Sequence, residues 1–171
     1  MIALFVLLGI GLKFVDDAFD RNLYSKKIAT IFAFLVCILW ISLSFTNIYI
    51  GTILTAVLLG SLLAGKIDNS AFQATAGLVL LFFFFSGITL HFALLAFLTL
   101  VAALDEWVHD KSVIFKFRPL LKLAVLALLL VIPASAILAF FAFDMSYDIT
   151  GFLTQKISSR KRLAIISYET V

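Results

Sequence analysis

Long apolar runs alternate with short polar stretches along the chain. The apolar runs cover 1–14, 28–45, 48–65, 71–104 and 120–143. Inside them, apolar residues fill consecutive positions, whereas the strands of a membrane β-barrel alternate apolar and polar residues. The pattern therefore predicts an all-α fold.

The lengths of these runs predict helices that cross a membrane, because one span needs about 20 apolar residues. The run 71–104 is too long for one ordinary span, so we expect it to fold back near Ser86 and Gly87 into two helices; one long tilted helix is the alternative. The run 120–143 predicts a sixth helix, which begins after Pro119 and bends at Pro133. We expect a polytopic transmembrane helical bundle of about six spans in 1–143 and a basic amphipathic segment in 144–171.

Composition supports this class of protein. Only 13% of the residues are charged and 64% are hydrophobic, while a soluble domain has about 25% charged residues. The net charge of +3 is small, and we assign it to one membrane face rather than to a nucleic-acid surface. The lipid bilayer is thus the expected partner, and the sequence leaves open whether copies of the chain form a homo-oligomer.

The polar stretches also predict an orientation. A turn at 86–87 places 21–27, 66–70 and 105–118 on one side of the membrane and 46–47 on the other. Short loops rich in Lys and Arg lie on the cytoplasmic side, so we expect the charged side to be cytoplasmic and the N-terminus outside. Whether 144–171 recrosses the membrane or lies on its surface stays open.

A cluster of acids follows two of the apolar helices. Superposing Val15 on Leu104 aligns Asp16 with Asp105 and Asp17 with Glu106. This correspondence predicts a degenerate internal repeat in parallel orientation, with halves 1–70 and 89–165.

Within each cluster, acidic and histidine side chains four residues apart share one helix face. Neighbouring carboxylates repel each other unless a cation or proton offsets their charge, and Mg²⁺ is held by one or two carboxylates together with waters and phosphate oxygens. We therefore expect a divalent cation, with Mg²⁺ favoured. The predicted ligands are Asp16, Asp20, Asp105 and His109, the surrounding or second-metal residues are Asp17, Glu106, Asp110 and Asp68, and the predicted phosphate-binding residues are Lys66, Lys111, Arg118 and Lys122.

The leading functional expectation is an integral membrane protein whose carboxylate-rich cation site binds or acts on a phosphorylated lipid or a prenyl group. Asp-x-x-x-Asp near a cytoplasmic membrane face is similar to intramembrane prenyltransferases and to alcohol phosphotransferases of lipid synthesis. The longer motifs of both families are missing here, so the sequence assigns no family and no reaction.

Other interpretations use the same residues. The acids can be solvated helix ends neutralised by local pairs such as Asp17 with Arg21. A cation or proton-coupled transporter or channel would use them as its ion site, and a non-catalytic membrane scaffold would not need them. The Glu106-x-x-His109 spacing also occurs in di-iron bundles, but the second such motif is absent from the sequence.

Overall fold

The computed structural model describes residues 1–108 and 118–169, with side chains as far as residue 157. This part of the chain is all-α, as the apolar pattern predicts. Its seven α-helices are α1 (Ile2–Asp20), α2 (Lys26–Ser44), α3 (Ile48–Leu63), α4 (Ser70–Ser86), α5 (Phe92–Val108), α6 (Pro119–Ala127) and α7 (Ala134–Glu169).

Polar and glycine residues set the ends of the middle helices. The side chains of Asn47 and Asn69 accept hydrogen bonds from backbone N–H groups in the first turns of α3 and α4, which satisfies donors that have no partner inside a helix. Gly87 ends α4 in the left-handed conformation (φ 62°), which costs a glycine little. The predicted tight hairpin at 46–47 and the predicted fold-back at 86–87 are both confirmed.

The predicted sixth helix over 120–143 is wrong. α6 ends at Ala127, a 3-10 turn covers Leu128–Leu130, and α7 begins at Ala134, directly after Pro133. Proline lacks the backbone N–H that would continue the helix and its ring clashes with the preceding turn, so Pro133 separates two helices instead of bending one. α7 then passes through residue 144 without a break.

The most extensive helix packing joins α1 to α7 and α3 to α5. α1 and α7 run parallel, since Gly9 lies against Phe143 and Asp17 lies against Thr154. The predicted repeat equates α1 with α5 and α3 with α7. Under this correspondence, the α1–α7 pair is equivalent to the α5–α3 pair, and these are the two most extensively packed pairs. The packing is therefore what a repeat would produce, although the repeat itself stays a prediction.

Two of the described helices are long and apolar enough to cross a membrane. They are α2 and the Ala134–Ile157 part of α7, while Ile48–Leu63, Ser70–Ser86 and Pro119–Leu130 are apolar but shorter. The expectation of an all-α protein is thus supported, but the described residues contain two candidate spans and not the expected six. Helices of 16 and 17 residues, such as α3 and α4, reach only about 25 Å at 1.5 Å per residue.

Candidate functional site

A cavity of about 550 Å³ lies at the polar end of the bundle. Arg21 from the first polar stretch, Asp68 from the second and Arg118 from the third all line it. The three stretches that the sequence places on one side therefore meet at one end of the folded chain.

The wall of this polar-end cavity is both charged and apolar. Trp40, Phe72 and Phe143 form part of its apolar surface. A pocket that joins apolar walls to polar groups at defined positions suits the binding of an amphipathic molecule. In the part of the chain that the structure describes, its charged lining consists of five acids, Asp16, Asp20, Asp68, Glu106 and Asp148, and four bases, Lys13, Arg21, Lys66 and Arg118.

One series of contacts crosses the cavity from α5 to α1. Glu106 Oε1 lies 2.7 Å from Arg118 Nη2, and the Arg118 guanidinium lies 5.0 Å from the centre of the Tyr147 ring. Tyr147 donates its hydroxyl hydrogen to Asp16 Oδ2 at 2.9 Å. Because Arg118 contacts both Glu106 and Tyr147, its guanidinium group has a fixed position at the start of α6.

Lys13 pairs with two of the three acids of α1, Asp16 and Asp17. Its ammonium group contacts Asp16 and lies 3.1 Å from Asp17 Oδ1. Asp17 is fully buried and also accepts a 2.6 Å hydrogen bond from the Thr154 hydroxyl of α7. The suggested pair of Asp17 with Arg21 is present at 3.5 Å. Asp17 therefore stabilises the contact between α1 and α7.

Asp105, a predicted metal ligand, has a different position. Its two carboxylate oxygens accept hydrogen bonds from the backbone N–H groups of Leu120 (3.3 Å) and Leu121 (2.7 Å). It is completely buried and is not part of the cavity lining. Asp105 therefore caps the start of α6, where free N–H groups favour a negative charge.

Lys122, a predicted phosphate ligand, is engaged by α7. Its ammonium nitrogen lies 2.8 Å from Asp144 Oδ2 and 2.7 Å from Asp148 Oδ2. A lysine between two carboxylates is already neutralised, and an incoming phosphate would have to compete with both. The structure thus gives Lys122 a role in joining α6 to α7.

Asp20 and Asp68 differ from the other acids of the cavity because their side chains are exposed. Among the described residues, neither carboxylate has a hydrogen bond or an ion pair. Asp20 lies beyond the apolar part of α1, and partial burial, followed by the negative charges of Asp16 and Asp68, raises its pKa. The carboxylate of Asp20 is therefore close enough to those of Asp16 and Asp68 to be repelled by both.

No three His, Cys, Asp or Glu side chains form a group that could hold a metal ion in residues 1–108 and 118–157. Of the predicted ligands, Asp16 and Asp20 line the cavity, as do Asp68 and Glu106 from the surrounding set, whereas Asp105 and Asp17 do not. Among the predicted phosphate-binding residues, Lys66 and Arg118 line it as well. His109, Asp110 and Lys111 lie outside the described residues.

Sequence reasoning missed the contribution of α7. Tyr147, Asp148 and Gly151 all line the cavity, although the sequence assigned them to a separate amphipathic segment. Asp144 and Asp148 are four residues apart and so share a helix face. That spacing was the available signal, but it does not say which helix α7 packs against.

A small apolar slot adjoins the cavity. It has a volume of about 50 Å³ and shares Leu12, Trp40, Leu58 and Phe72 with the cavity. Its other walls come from α2 and α4, including Cys37 and Ala76. The apolar surface of the cavity therefore continues between these two helices.

No protein-family model matches this chain, and neither a curated protein nor a solved structure matches it.

Proposed function

We propose that this chain is a multi-pass membrane protein that binds a phosphorylated lipid in the polar-end cavity. The phosphate lies among Arg21, Lys66 and Arg118, and the apolar part of the lipid lies against Trp40 and Phe72. The observation that carries the proposal is the meeting of these basic and aromatic residues in one cavity at the end of an apolar bundle.

The surface of the bundle supports a membrane location. Large apolar side chains are exposed on its helices, among them Phe84 (80% exposed), Phe92 (80%) and Leu130 (98%). Large apolar patches are unusual on a soluble monomer and suit a lipid environment. Beyond the two candidate spans, we propose that the shorter helices also enter the bilayer and that the polar end faces the cytoplasm.

The charge of the cavity supports a cation in the complex. Among the described residues, five acids and four bases line it, so a phosphate would add negative charge to a described lining in which acids already outnumber bases. Mg²⁺ commonly binds one or two carboxylates, waters and a substrate phosphate. Asp20 and Asp68, which have no other partner in the described part of the chain, are the proposed carboxylates for Mg²⁺.

The experiment is a binding titration on protein reconstituted in phosphatidylcholine bilayers. The probes are phosphatidic acid and, as the matched lipid without phosphate, diacylglycerol, each with Mg²⁺ and with a chelator. We expect phosphatidic acid to bind at least tenfold more tightly than diacylglycerol and to lose affinity when Mg²⁺ is removed. Equal binding of the two lipids would rule out recognition of the phosphate.

Variants locate the site. Arg21→Gln and Lys66→Gln remove charges from the cavity, whereas Lys27→Gln removes an exposed charge that does not line it. A hydrogen bond to a charged group contributes about 1.5–3 kcal/mol, so each cavity variant should weaken phosphatidic acid about tenfold or more, with Lys27→Gln unchanged. If all three variants bind alike, the phosphate lies elsewhere. Asp20→Asn together with Asp68→Asn should abolish the effect of Mg²⁺.

A further inference from the structure

We infer that a hydrocarbon chain of the bound lipid leaves the polar-end cavity through the apolar slot between α2 and α4, and that Trp40 recognises the junction between headgroup and chain. The inference rests on the proposed function and adds where the apolar part of the ligand lies. It names Trp40 as a further binding residue.

The first observation is continuity. Leu12, Trp40, Leu58 and Phe72 line both the charged cavity and the slot, so the two spaces adjoin at these four side chains. Beyond them the slot is almost entirely apolar, with small residues such as Ala33 and Ala76 on the facing sides of α2 and α4. A lipid with its phosphate in the cavity therefore has an apolar path beside the headgroup.

The second observation is an unsatisfied donor at the junction. Trp40 is 6% exposed, and its indole Nε1–H has no acceptor among the described residues. Buried polar groups in folded proteins nearly always have a partner, because leaving one unpaired costs free energy. An ester, hydroxyl or phosphate oxygen of a lipid in the cavity would supply that acceptor.

The ring of Trp40 is held in place independently of the donor. It packs edge-on against Phe143 of α7, with 5.7 Å between the ring centres. Replacement of Trp40 by Phe therefore keeps an aromatic ring at the junction and removes the N–H group.

The slot has a volume of only about 50 Å³, so it encloses a short segment of chain and leaves the remainder to pass into the bilayer. Because the slot is narrow, a larger side chain in its wall should block it. Ala76 is buried and lines it, whereas Ala74 is exposed on the same helix. Ala76→Phe and Ala74→Phe are thus a matched pair of variants, since they add the same ring two residues apart.

The experiment uses the full chain in phosphatidylcholine vesicles with Trp107→Phe as background. Because the sequence has two tryptophans, this change leaves Trp40 as the single source of indole fluorescence. The probe is phosphatidic acid with bromine atoms on its chains, which quench indole fluorescence on contact. We expect saturable quenching of Trp40 that Ala76→Phe abolishes and Ala74→Phe retains. Brominated phosphatidylcholine at the same mole fraction is the control for bilayer lipid and should quench little, because Trp40 is buried.

A second measurement stays informative if Ala76→Phe does not fold. Trp40→Phe should weaken binding of phosphatidic acid about threefold to tenfold, the range for loss of one hydrogen bond. Trp107→Phe, at a tryptophan that is 58% exposed, should bind like the parent protein.

The outcomes separate the two proposals. If the parent protein binds no phosphorylated lipid more tightly than diacylglycerol, both proposals fail. If it binds phosphatidic acid but Trp40 is not quenched and Trp40→Phe binds like the parent, only the path through the slot is wrong.

Discussion

Asp105 illustrates how a buried acid can be essential to a helix without binding a ligand. Arg118 precedes α6 and Pro119 has no N–H, so the first free backbone donors of α6 belong to Leu120 and Leu121. Both donate to Asp105 of α5. A carboxylate from another helix thus does what an N-cap side chain usually does.

Replacement of Asp105 by Ala should lower the free energy of unfolding by about 1–2 kcal/mol, the range for losing a helix cap. Asp105→Asn retains one acceptor oxygen and should lose less. The measurement is thermal unfolding in detergent, followed by circular dichroism at the helix band. Asp20→Ala is the control, because that exposed side chain caps nothing, and it should change stability little.

The metal hypothesis for Asp105 makes a different prediction in the same experiment. If Asp105 were a metal ligand, Mg²⁺ would raise the melting temperature of the parent protein and not that of Asp105→Asn. The cap predicts the same difference between the two proteins with Mg²⁺ and with a chelator.

For single residues, the sequence could indicate which acids are close along a helix, but not which residues each acid contacts. Spacing places Asp16 and Asp20 on one face of α1, and both line the cavity. The same rule applied to Asp105 gives no hint of α6, because the contact depends on how the chain returns after residue 118. Tyr147 was missed for the same reason, as its bond to Asp16 joins residues 131 positions apart.

Among the helices, α1 and α7 form the contact on which the cavity depends. Lys13, Asp16 and Asp17 face Tyr147, Gly151 and Thr154 across it. The approach is closest at Gly9, where an added Cβ would lie 2.2 Å from the Phe143 carbonyl oxygen and 2.1 Å from Ser146 Oγ. Glycine is needed here because a backbone atom of α7 occupies the space that a side chain would fill.

Gly9→Ala should therefore separate α1 from α7 and lower the free energy of unfolding by about 1–3 kcal/mol, the usual effect of overpacking. Gly77→Ala is the matched control, since Gly77 lies within α4 and an added Cβ there meets nothing within 4 Å. It should leave stability unchanged or slightly raised, because alanine favours helix. Thermal unfolding of both variants in detergent measures the difference, and similar melting temperatures would mean that α1 and α7 are not packed this closely.

Apolar length predicted α2 to α5 well, since each run ends at a recognisable residue such as Asn47 or Gly87. It failed between 120 and 143, where the run continues through Pro133 and the hydrophobic pattern shows no interruption. Whether a proline bends a helix or divides it depends on the packing of the segment that follows. Here α7 packs against α1 over much of its length, and that contact cannot be deduced from α7 alone.

Across the described part of the molecule, the charges collect at one end and the turns at 45–47 and 87–91 lie at the other. The His91 backbone N–H donates to the Thr52 hydroxyl at 3.0 Å, and the rings of Tyr49 and His91 lie 4.8 Å apart, so α3 begins where α5 begins. The alternation of polar stretches predicted this arrangement, because each apolar run reverses the direction of the chain. The cavity could not be predicted, since its volume depends on side chains from widely separated parts of the chain, between residues 12 and 155.

A multi-pass arrangement makes a prediction about access from the two sides of a membrane. Cys37 is the only cysteine and is buried, so Cys37→Ala gives a background for single cysteines. Ser25→Cys and Ser70→Cys at the polar end should react with a membrane-impermeant maleimide from one side of oriented vesicles. Thr46→Cys and His91→Cys at the opposite end should react only from the other side.

All four positions are exposed in the structure, so a difference in labelling reports the bilayer rather than burial within the protein. Detergent solubilisation provides the control, because all four cysteines should then react at similar rates. Labelling of all four from one side in intact vesicles would contradict the proposed spans, because positions 25 and 46 flank α2 and positions 70 and 91 flank α4. Of the two candidate spans among the described residues, α7 alone would then remain. If the polar-end pair reacts from the cytoplasmic side alone, the polar-end cavity opens toward that compartment.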